Sequence, residues 1–290
     1  MQKTLLTLVA LSTTIMAVEL EYGTGTFSME GGFIGLTGSL STDIDAYSLV
    51  DRHSNLMSDF YYGYDFHLYD SEMMKQGQHI YNGMASGFNR FSPIDVPKME
   101  HRVKGLDMNV HLGYDMIYRD QNNFFGVGVT MGASMPTIDS ISMNKKLFEK
   151  TEEILEKTQT KIKTYKIGPS FTMQKSFNPY VSVYGTGSFT YQTGEVKNKF
   201  IDGKYSVDGT FQSYNVGLYF TPFTDDYKLG WLTLSPRLFA TIGYRYSKWN
   251  VDKMAIDVCG CKMDSEMMDS LETKFGMDSS IGYFGVGLSF

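Results

Sequence analysis

Residues 105–118 read GLDMNVHLGYDMIY, and this stretch decides the fold. From Leu106 to Tyr118, every second residue is apolar or aromatic. The residues between them, with Asp107 and Asp115 among them, are mostly glycine or polar. Successive side chains of a strand point to opposite faces, whereas a helix would scatter the two sets around its circumference. The stretch therefore predicts a β-strand with one apolar and one polar face.

The same period of two recurs along the chain, and it predicts a membrane-spanning barrel. The repeating segments are long, near the ~9–11 residues that cross a bilayer at a tilt, whereas the strands of soluble sandwiches average about 5–6. Tyr and Phe concentrate towards the segment ends, as in the aromatic girdles of barrels, and the polar face would line the lumen. We therefore predict an all-β, transmembrane, antiparallel up-and-down β-barrel rather than a β-sandwich. The further segments are 59–68, 125–134, 181–191, 213–220 and 232–246.

Two prolines interrupt this pattern. Pro169 and Pro236 lie inside predicted strands. Each lacks the backbone N–H that a ladder needs, so we expect a bulge or local unpairing at both positions.

Composition excludes several classes of protein and of site. The chain of 290 residues has 26 basic and 32 acidic side chains, so a nucleic-acid binder with a basic face is not expected. Its two cysteines exclude a disulfide scaffold and a four-thiolate zinc site. Cys259 and Cys261 lie in a predicted loop, where a strained disulfide and soft-metal binding both stay open. No cofactor and no metal site is predicted.

The first 17 residues, MQKTLLTLVALSTTIMA, are typical of a secretory signal peptide. Lys3 supplies the basic start, residues 5–11 the short apolar run, and Ala17 a small residue suited to cleavage. Residues 18–290 would then form the exported barrel. No later segment is long and apolar enough to predict a membrane-spanning helix.

The last residues read GYFGVGLSF, with Phe284, Val286, Leu288 and Phe290 at alternate positions. This resembles the terminal strand of bacterial outer-membrane β-barrel proteins, in which a final Phe after alternating apolar residues is recognised by the barrel-assembly machinery. The resemblance implies location in the outer membrane of a Gram-negative bacterium, with the lipid bilayer as the permanent partner. We expect a monomer.

Connection lengths predict the topology. Outer-membrane barrels have short periplasmic turns and long external loops. Phe290 is placed at the periplasmic end, and the number of strands in such barrels is even. Residues 22–41 must then supply two strands, which gives about ten strands in all, with eight as the alternative. Residues 143–163 have the spacing of an amphipathic helix, which would cap its own loop or bind a partner or surface sheet. Short connections are predicted near 119–123, 175–178 and 224–228, and long ones near 71–102, 135–163, 193–204 and 250–277.

The predicted lumen carries charges of both signs. In so narrow a barrel unpaired charges are costly, so we expect them to pair across the lumen. The function predicted from this is non-enzymatic: a structural, surface-interaction or narrow-transport barrel. A small pore and a barrel hydrolase, lipase or protease, are the alternatives, and a nucleophile beside His67 or His111 would favour the hydrolase. The predicted network comprises Asp59, Asp65, Asp107, His111, Asp115, Lys166, Arg237 and Arg245.

Overall fold

A computed structural model describes most of the chain from residue 17 onwards. The described residues are 17–33, 36–57, 59–75, 99–117, 123–142, 157–198, 203–223, 227–229, 232–234, 238–258, 261–263 and 274–289. The strands are β1 (Ala17–Phe33), β2 (Leu36–Met57), β3 (Phe60–Ser71), β4 (Met74–Lys75), β5 (Met99–Asp115), β6 (Asn123–Ser142), β7 (Lys157–Asn178), β8 (Val181–Asn198), β9 (Gly203–Phe220), β10 (Tyr227–Leu229), β11 (Leu232–Leu234), β12 (Leu238–Val258), β13 (Cys261–Met263) and β14 (Lys274–Ser289).

Ten long antiparallel strands close into a barrel. Each pairs with its neighbour along the chain, and β1 closes the ring by pairing with β14. The order round the ring is β1, β2, β3, β5, β6, β7, β8, β9, β12, β14. The predicted up-and-down barrel is confirmed, with ten strands rather than eight. β10 and β11 form a separate hairpin.

The alternation in sequence becomes an inside and an outside. On β5, Val110 and Leu112 are about two-fifths exposed, while Asp107 and Asn109, on the opposite face of the same strand, are buried. The outward residues form a belt of exposed apolar side chains round the barrel, which is typical of a lipid-facing surface and unlike the surface of a soluble protein. One member per strand, each 40–54% exposed, is Leu20, Tyr47, Leu68, Leu112, Val129, Ile167, Phe189, Val216, Ile242 and Val286.

The barrel wall continues well beyond this belt. Its strands run from 12 residues in β3 to 22 in β2 and β7, longer than a bilayer requires. The outward face of the extension carries ion pairs, with Arg102 Nη2 2.6 Å from Asp70 Oδ2 and Lys104 Nζ 2.6 Å from Asp139 Oδ2. Much of the predicted long loops is therefore strand. The prediction was wrong there because the outward face becomes polar beyond the lipid, which removes the apolar–polar alternation.

The predicted helix at 143–163 is wrong where the structure describes it. Residues 157–163 begin β7 and pair with β6 on one side and, from Thr160, with β8 on the other. Ile162 is buried in the lumen while Lys161 and Lys163 are exposed, a period of two that overlaps the helical spacing. Residues 143–156 lie outside the described part. The described residues contain no helix, and so no helix among them could cross a membrane.

Two strand ends and one connection differ from the sequence prediction. β7 continues to Asn178, the last residue of the connection predicted near 175–178. The side-chain Oδ1 of Asn178 accepts hydrogen bonds from the Tyr180 and Val181 amides and so forms a turn after the predicted connection. The strand predicted over 232–246 begins at Leu238. The hairpin of β10 and β11 precedes it, so the connection predicted at 224–228 is longer.

The structure has the predicted first hairpin and the predicted local unpairing at Pro169. The stretch 22–41 does contribute to two strands, β1 and β2, but β1 begins at Ala17 and β2 continues to Met57. Pro169 pairs with Val129 on β6, whereas the β7–β8 ladder has no partner for Gly168 or Pro169, as expected for local unpairing. Pro236 lies outside the described residues.

Candidate functional site: a polar network across the lumen

The lumen-facing side chains are sorted along the barrel axis. On β12, Arg245 and Ser247 lie towards the end that carries Ala17 and Ser289, and Trp249 follows further out. The half of the lumen on the side of Ala17 and Ser289, called the inner half here, therefore holds most of the buried charged groups, with aromatic residues such as Phe239 and Tyr61 at its end. The outer half is filled with apolar ones, which include Phe27, Met29, Ile44, Val103, Ile138, Ile162, Phe211, Trp249, Met277 and Ile281.

Two buried carboxylates and two arginines form the centre of the polar half. Arg52 donates to Glu19 and, over 2.7 Å, to Glu21 Oε1. Arg245 Nη2 donates to Glu21 Oε2 over 2.5 Å. All four side chains are no more than 8% exposed. Burial of two acids with two guanidinium groups keeps each charge compensated, which a low-dielectric interior requires.

Tyrosines extend this centre to the far wall. Arg52 Nη2 lies 3.1 Å from the Tyr184 hydroxyl, and its guanidinium carbon lies 4.1 Å from the centre of the Tyr184 ring. The hydroxyls of Tyr184 and Tyr283 share a hydrogen bond, and Tyr283 donates to Asn215. Gly217 makes room for this arrangement, since a Cβ there would lie 2.5 Å from the Tyr184 hydroxyl.

A second arm surrounds Asp65. His67 Nε2 lies 2.7 Å from Asp65 Oδ1 and His111 Nε2 lies 2.6 Å from Oδ2, while Asn109 donates to Oδ1 over 2.6 Å. His67 Nδ1 lies 2.8 Å from the Ser48 hydroxyl and 2.9 Å from Arg245 Nη1, which joins this arm to the centre.

A third arm surrounds Asp107. Lys166 forms a fully buried ion pair with Asp107, which also accepts from the Ser134 hydroxyl over 2.9 Å. The Lys166 ammonium lies 3.4 Å from the centre of the Phe211 ring. Trp249 donates to Ser134 over 3.1 Å. This arm is the boundary between the polar and apolar halves.

The structure brings five of the eight predicted network residues into these arms: Asp65, Asp107, His111, Lys166 and Arg245. It separates two others. Asp59 lies in the turn before β3 and accepts from the outward Tyr114 over 2.7 Å. Asp115 ends β5 and accepts from the backbone of the following turn. Both lie at the end of the barrel near the turns that adjoin β3 and β5, apart from the three groups of contacts described above.

Four predicted residues have no described side chain. Arg237, Cys259 and Phe290 lie outside the described residues, and Cys261 begins β13 with its side chain undescribed. The remaining residues of the terminal segment, Phe284, Val286 and Leu288, face outward on β14 and are 44–55% exposed.

The sequence prediction missed Glu19, Glu21 and Arg52. The alternation Glu19, Leu20, Glu21, Tyr22 was a usable signal, with acids on one face and apolar residues on the other. The prediction places the first strand within residues 22–41, so both acids lie before it. Arg52 was missed because β2 was not predicted to extend so far.

The groups Ser48, His67 and Asp65 are linked in the order of a nucleophile, a base and a carboxylate. Arg245 can only donate, so the His67 Nδ1 that it faces is an acceptor, and the histidine proton lies on Nε2 towards Asp65. However, Arg245 Nη1 also lies 3.1 Å from the Ser48 hydroxyl. The cavity beside these linked side chains has a volume of about 30 Å³, which is room for about one water molecule.

In the part of the chain that the structure describes, no three His, Cys, Asp or Glu side chains are grouped to hold a metal ion.

Comparison with known proteins identifies the fold and no family. No protein-family description and no curated sequence matches the chain. The outer-membrane protease OmpT of Escherichia coli is similar in structure, with a TM-score of 0.50, 9% identity and coverage of 96% of this chain and 98% of that one. The translocator domain of the autotransporter NalP from Neisseria meningitidis covers 100% of this chain and 95% of its own at 10% identity, with a TM-score of 0.36. The likeness to OmpT shows a shared barrel fold.

Proposed function

We propose that the protein is an outer-membrane barrel whose lumen is closed at the level of the bilayer, with a structural or surface-interaction role and no enzymatic activity. One contact carries this proposal. Arg52 on β2 reaches Tyr184 on β8, and these strands are directly opposite in the ring of ten. Side chains from opposite walls therefore meet in the middle of the lumen.

Among the described residues, little space is left beside this contact. The neighbouring cavity of about 30 Å³ is lined by Asp65, His67, His111 and Arg245, all held by hydrogen bonds. A hydrated ion would have to break these bonds and leave buried charges uncompensated. A barrel of this strand number is also narrow enough to be filled by its own side chains. Bracing of the wall, rather than conduction, is the role that this arrangement supports.

Swelling of proteoliposomes in arabinose tests the closed lumen. Vesicles with the wild-type protein should swell no faster than empty vesicles. The double variant Arg52→Ala, Tyr184→Ala should swell faster, because it removes both partners of the contact across the lumen. Rapid swelling with the wild-type protein would contradict the proposal.

Export and assembly belong to the same proposal. Residues 1–17 would be removed as a signal peptide, and the barrel-assembly machinery would recognise the terminal segment that ends at Phe290. The outward alternation of Phe284, Val286 and Leu288 on the strand that closes the ring supports this role. Phe290→Ala should lower the heat-modifiable folded band in outer-membrane fractions. An unchanged folded yield would contradict the assignment.

A barrel hydrolase is the second candidate, favoured by the linked Ser48, His67 and Asp65. Against it, Arg245 competes for both Ser48 and the basic nitrogen of His67, and the adjacent space does not admit an acyl substrate. A fluorophosphonate probe separates the two candidates. We expect no labelling of the folded protein, whereas labelling that is lost in Ser48→Ala would favour the hydrolase.

A further inference from the structure

The outer half of the lumen contains a cavity of about 220 Å³. It lies between β6, β7, β8, β9, β12 and β14, beyond the Asp107 arm of the network. Most of its lining is apolar: Pro136, Ile138, Ile162, Val196, Val207, Trp249, Val251 and Met277. A dry apolar cavity of about 150 Å³ is sufficient to hold a benzene molecule. The space here therefore suits a small organic molecule.

Two polar side chains in this lining have an atom without a partner. Gln192 and Thr164 are each 2% exposed, and neither Gln192 Oε1 nor Thr164 Oγ1 has a hydrogen-bond partner in the described structure. Gln192 Nε2 donates to the backbone oxygens of Thr210 and Asn250 over 3.2 and 3.0 Å. These two acceptors fix the amide, so that Oε1 is the atom left to accept.

The two residues with unpartnered atoms lie near each other in the barrel wall and line the same cavity. Gln192 pairs with Lys166, and Thr164 pairs with Gly194, so Gln192 and Thr164 are diagonal neighbours on one face of the β7–β8 ladder. Such neighbours are about 7–8 Å apart at the backbone, within reach of a long side chain. Buried polar atoms are costly when unpaired, and a ligand that carries a donor and an acceptor would satisfy both.

We propose that this cavity binds a small, mainly apolar molecule that carries one hydroxyl group. The apolar part would pack against Ile162, Val207 and Trp249. The hydroxyl would donate to Gln192 Oε1 and accept from Thr164. This binding site lies beyond the closed part of the lumen, and its occupancy does not depend on whether the lumen conducts.

Quenching of Trp249 fluorescence by bromohexanol tests the proposal. The chain has two tryptophans, so the measurement is made on purified full-length protein with Trp231→Phe, which leaves Trp249 as the reporter. Contact with bromine quenches the indole. We expect saturable quenching that unbrominated hexanol reverses. Bromohexane, which lacks the hydroxyl, should bind about 3- to 10-fold more weakly, the effect of about one hydrogen bond.

Matched variants separate the cavity from detergent and from the lipid face. Val207→Phe fills the cavity and should abolish saturable quenching, whereas Val216→Phe makes the same change on the outward face of β9 and should leave it unchanged. Thr164→Val keeps the side-chain shape and should reduce the preference for the alcohol, because the hydroxyl keeps Gln192 Oε1 and loses its second hydrogen-bond partner. No saturable quenching would mean that only water enters the cavity. Equal quenching in Val207→Phe, or an unchanged alcohol preference in Thr164→Val, would likewise overturn the proposal.

Discussion

Arg52 Nη2 lies 3.1 Å from the hydroxyl of Tyr184, although the two residues belong to strands on opposite sides of the barrel. The same guanidinium donates to Glu19 and Glu21 on β1, which is next to its own strand. One side chain thus joins two buried acids on the near wall to an aromatic residue on the far wall. The inner half of the barrel is braced through its middle as well as by its hydrogen-bonded wall.

The first prediction concerns this brace. Arg52→Ala leaves Glu19 and Glu21 with a buried charge uncompensated, and removal of one partner of a buried pair costs about 3–5 kcal/mol. Arg102→Ala is the matched control, because its pair with Asp70 is about half exposed and contributes about 0–1 kcal/mol. Urea unfolding in lipid vesicles measures both. Equal losses of stability in the two variants would contradict the assigned role of Arg52.

The second prediction concerns the ion pair of Lys166 and Asp107. Each of Lys166→Met and Asp107→Asn should destabilise the barrel strongly, since the remaining partner stays buried with a charge or an unmet hydrogen bond. The double variant should recover a large part of the loss. A double-mutant cycle of unfolding free energies measures the coupling. Simple additivity of the two single effects would show that the pair is not coupled.

The third prediction concerns the lipid-facing belt. Ile242 on β12 is 54% exposed within the belt, and Ile242→Lys should cost about 2–4 kcal/mol if it lies near the bilayer midplane. Asn250→Lys places the same group on the same face of the same strand, beyond the natural Lys248, and should cost little. Refolding titrations into lipid vesicles compare the two. A larger cost for Asn250→Lys would mean that the belt has been placed at the wrong height.

The fourth prediction is a pH dependence outside the bilayer. The hydrogen bond from Lys104 lowers the pKa of Asp139 below its ordinary value of 3.8, and Gln159 assists through a second hydrogen bond. A lowered pKa in the folded state stabilises the fold above the ordinary value, and this contribution is lost as the pH falls through the folded value. Asp139→Asn should therefore reduce the drop in urea midpoint between about pH 5 and about pH 2. An undiminished drop would assign the acid sensitivity to other groups.

The sequence predicted the wall of this barrel better than its contents. Within the belt, one face of each strand contacts lipid and the other faces the lumen. The direction of each side chain on β5 could therefore be predicted from the sequence. Beyond the belt both outward and loop residues are polar, and that signal disappears. Residues 157–163 fit the predicted helix as well as a strand, because Ile162, which faces the lumen, also lies on the apolar stripe of that helix.

The sequence predicted that charges pair in the lumen, but it did not predict most of the individual pairs. Opposite charges on the polar face implied pairing, and Lys166 does meet Asp107. The partners of Arg245 depended on β1 and β2, whose extent the sequence did not reveal. The outer cavity was beyond prediction, because Val207 and Ile138 are 69 positions apart and line one space only after the ring has closed.

The closed lumen is the central claim, and single-channel recording in planar bilayers tests it most directly. We expect no steady conductance from the purified wild-type protein, with brief flickering events at most. We also expect longer openings in the double variant Arg52→Ala, Tyr184→Ala. Large, stable, porin-like current steps from the wild-type protein would show that the lumen is open.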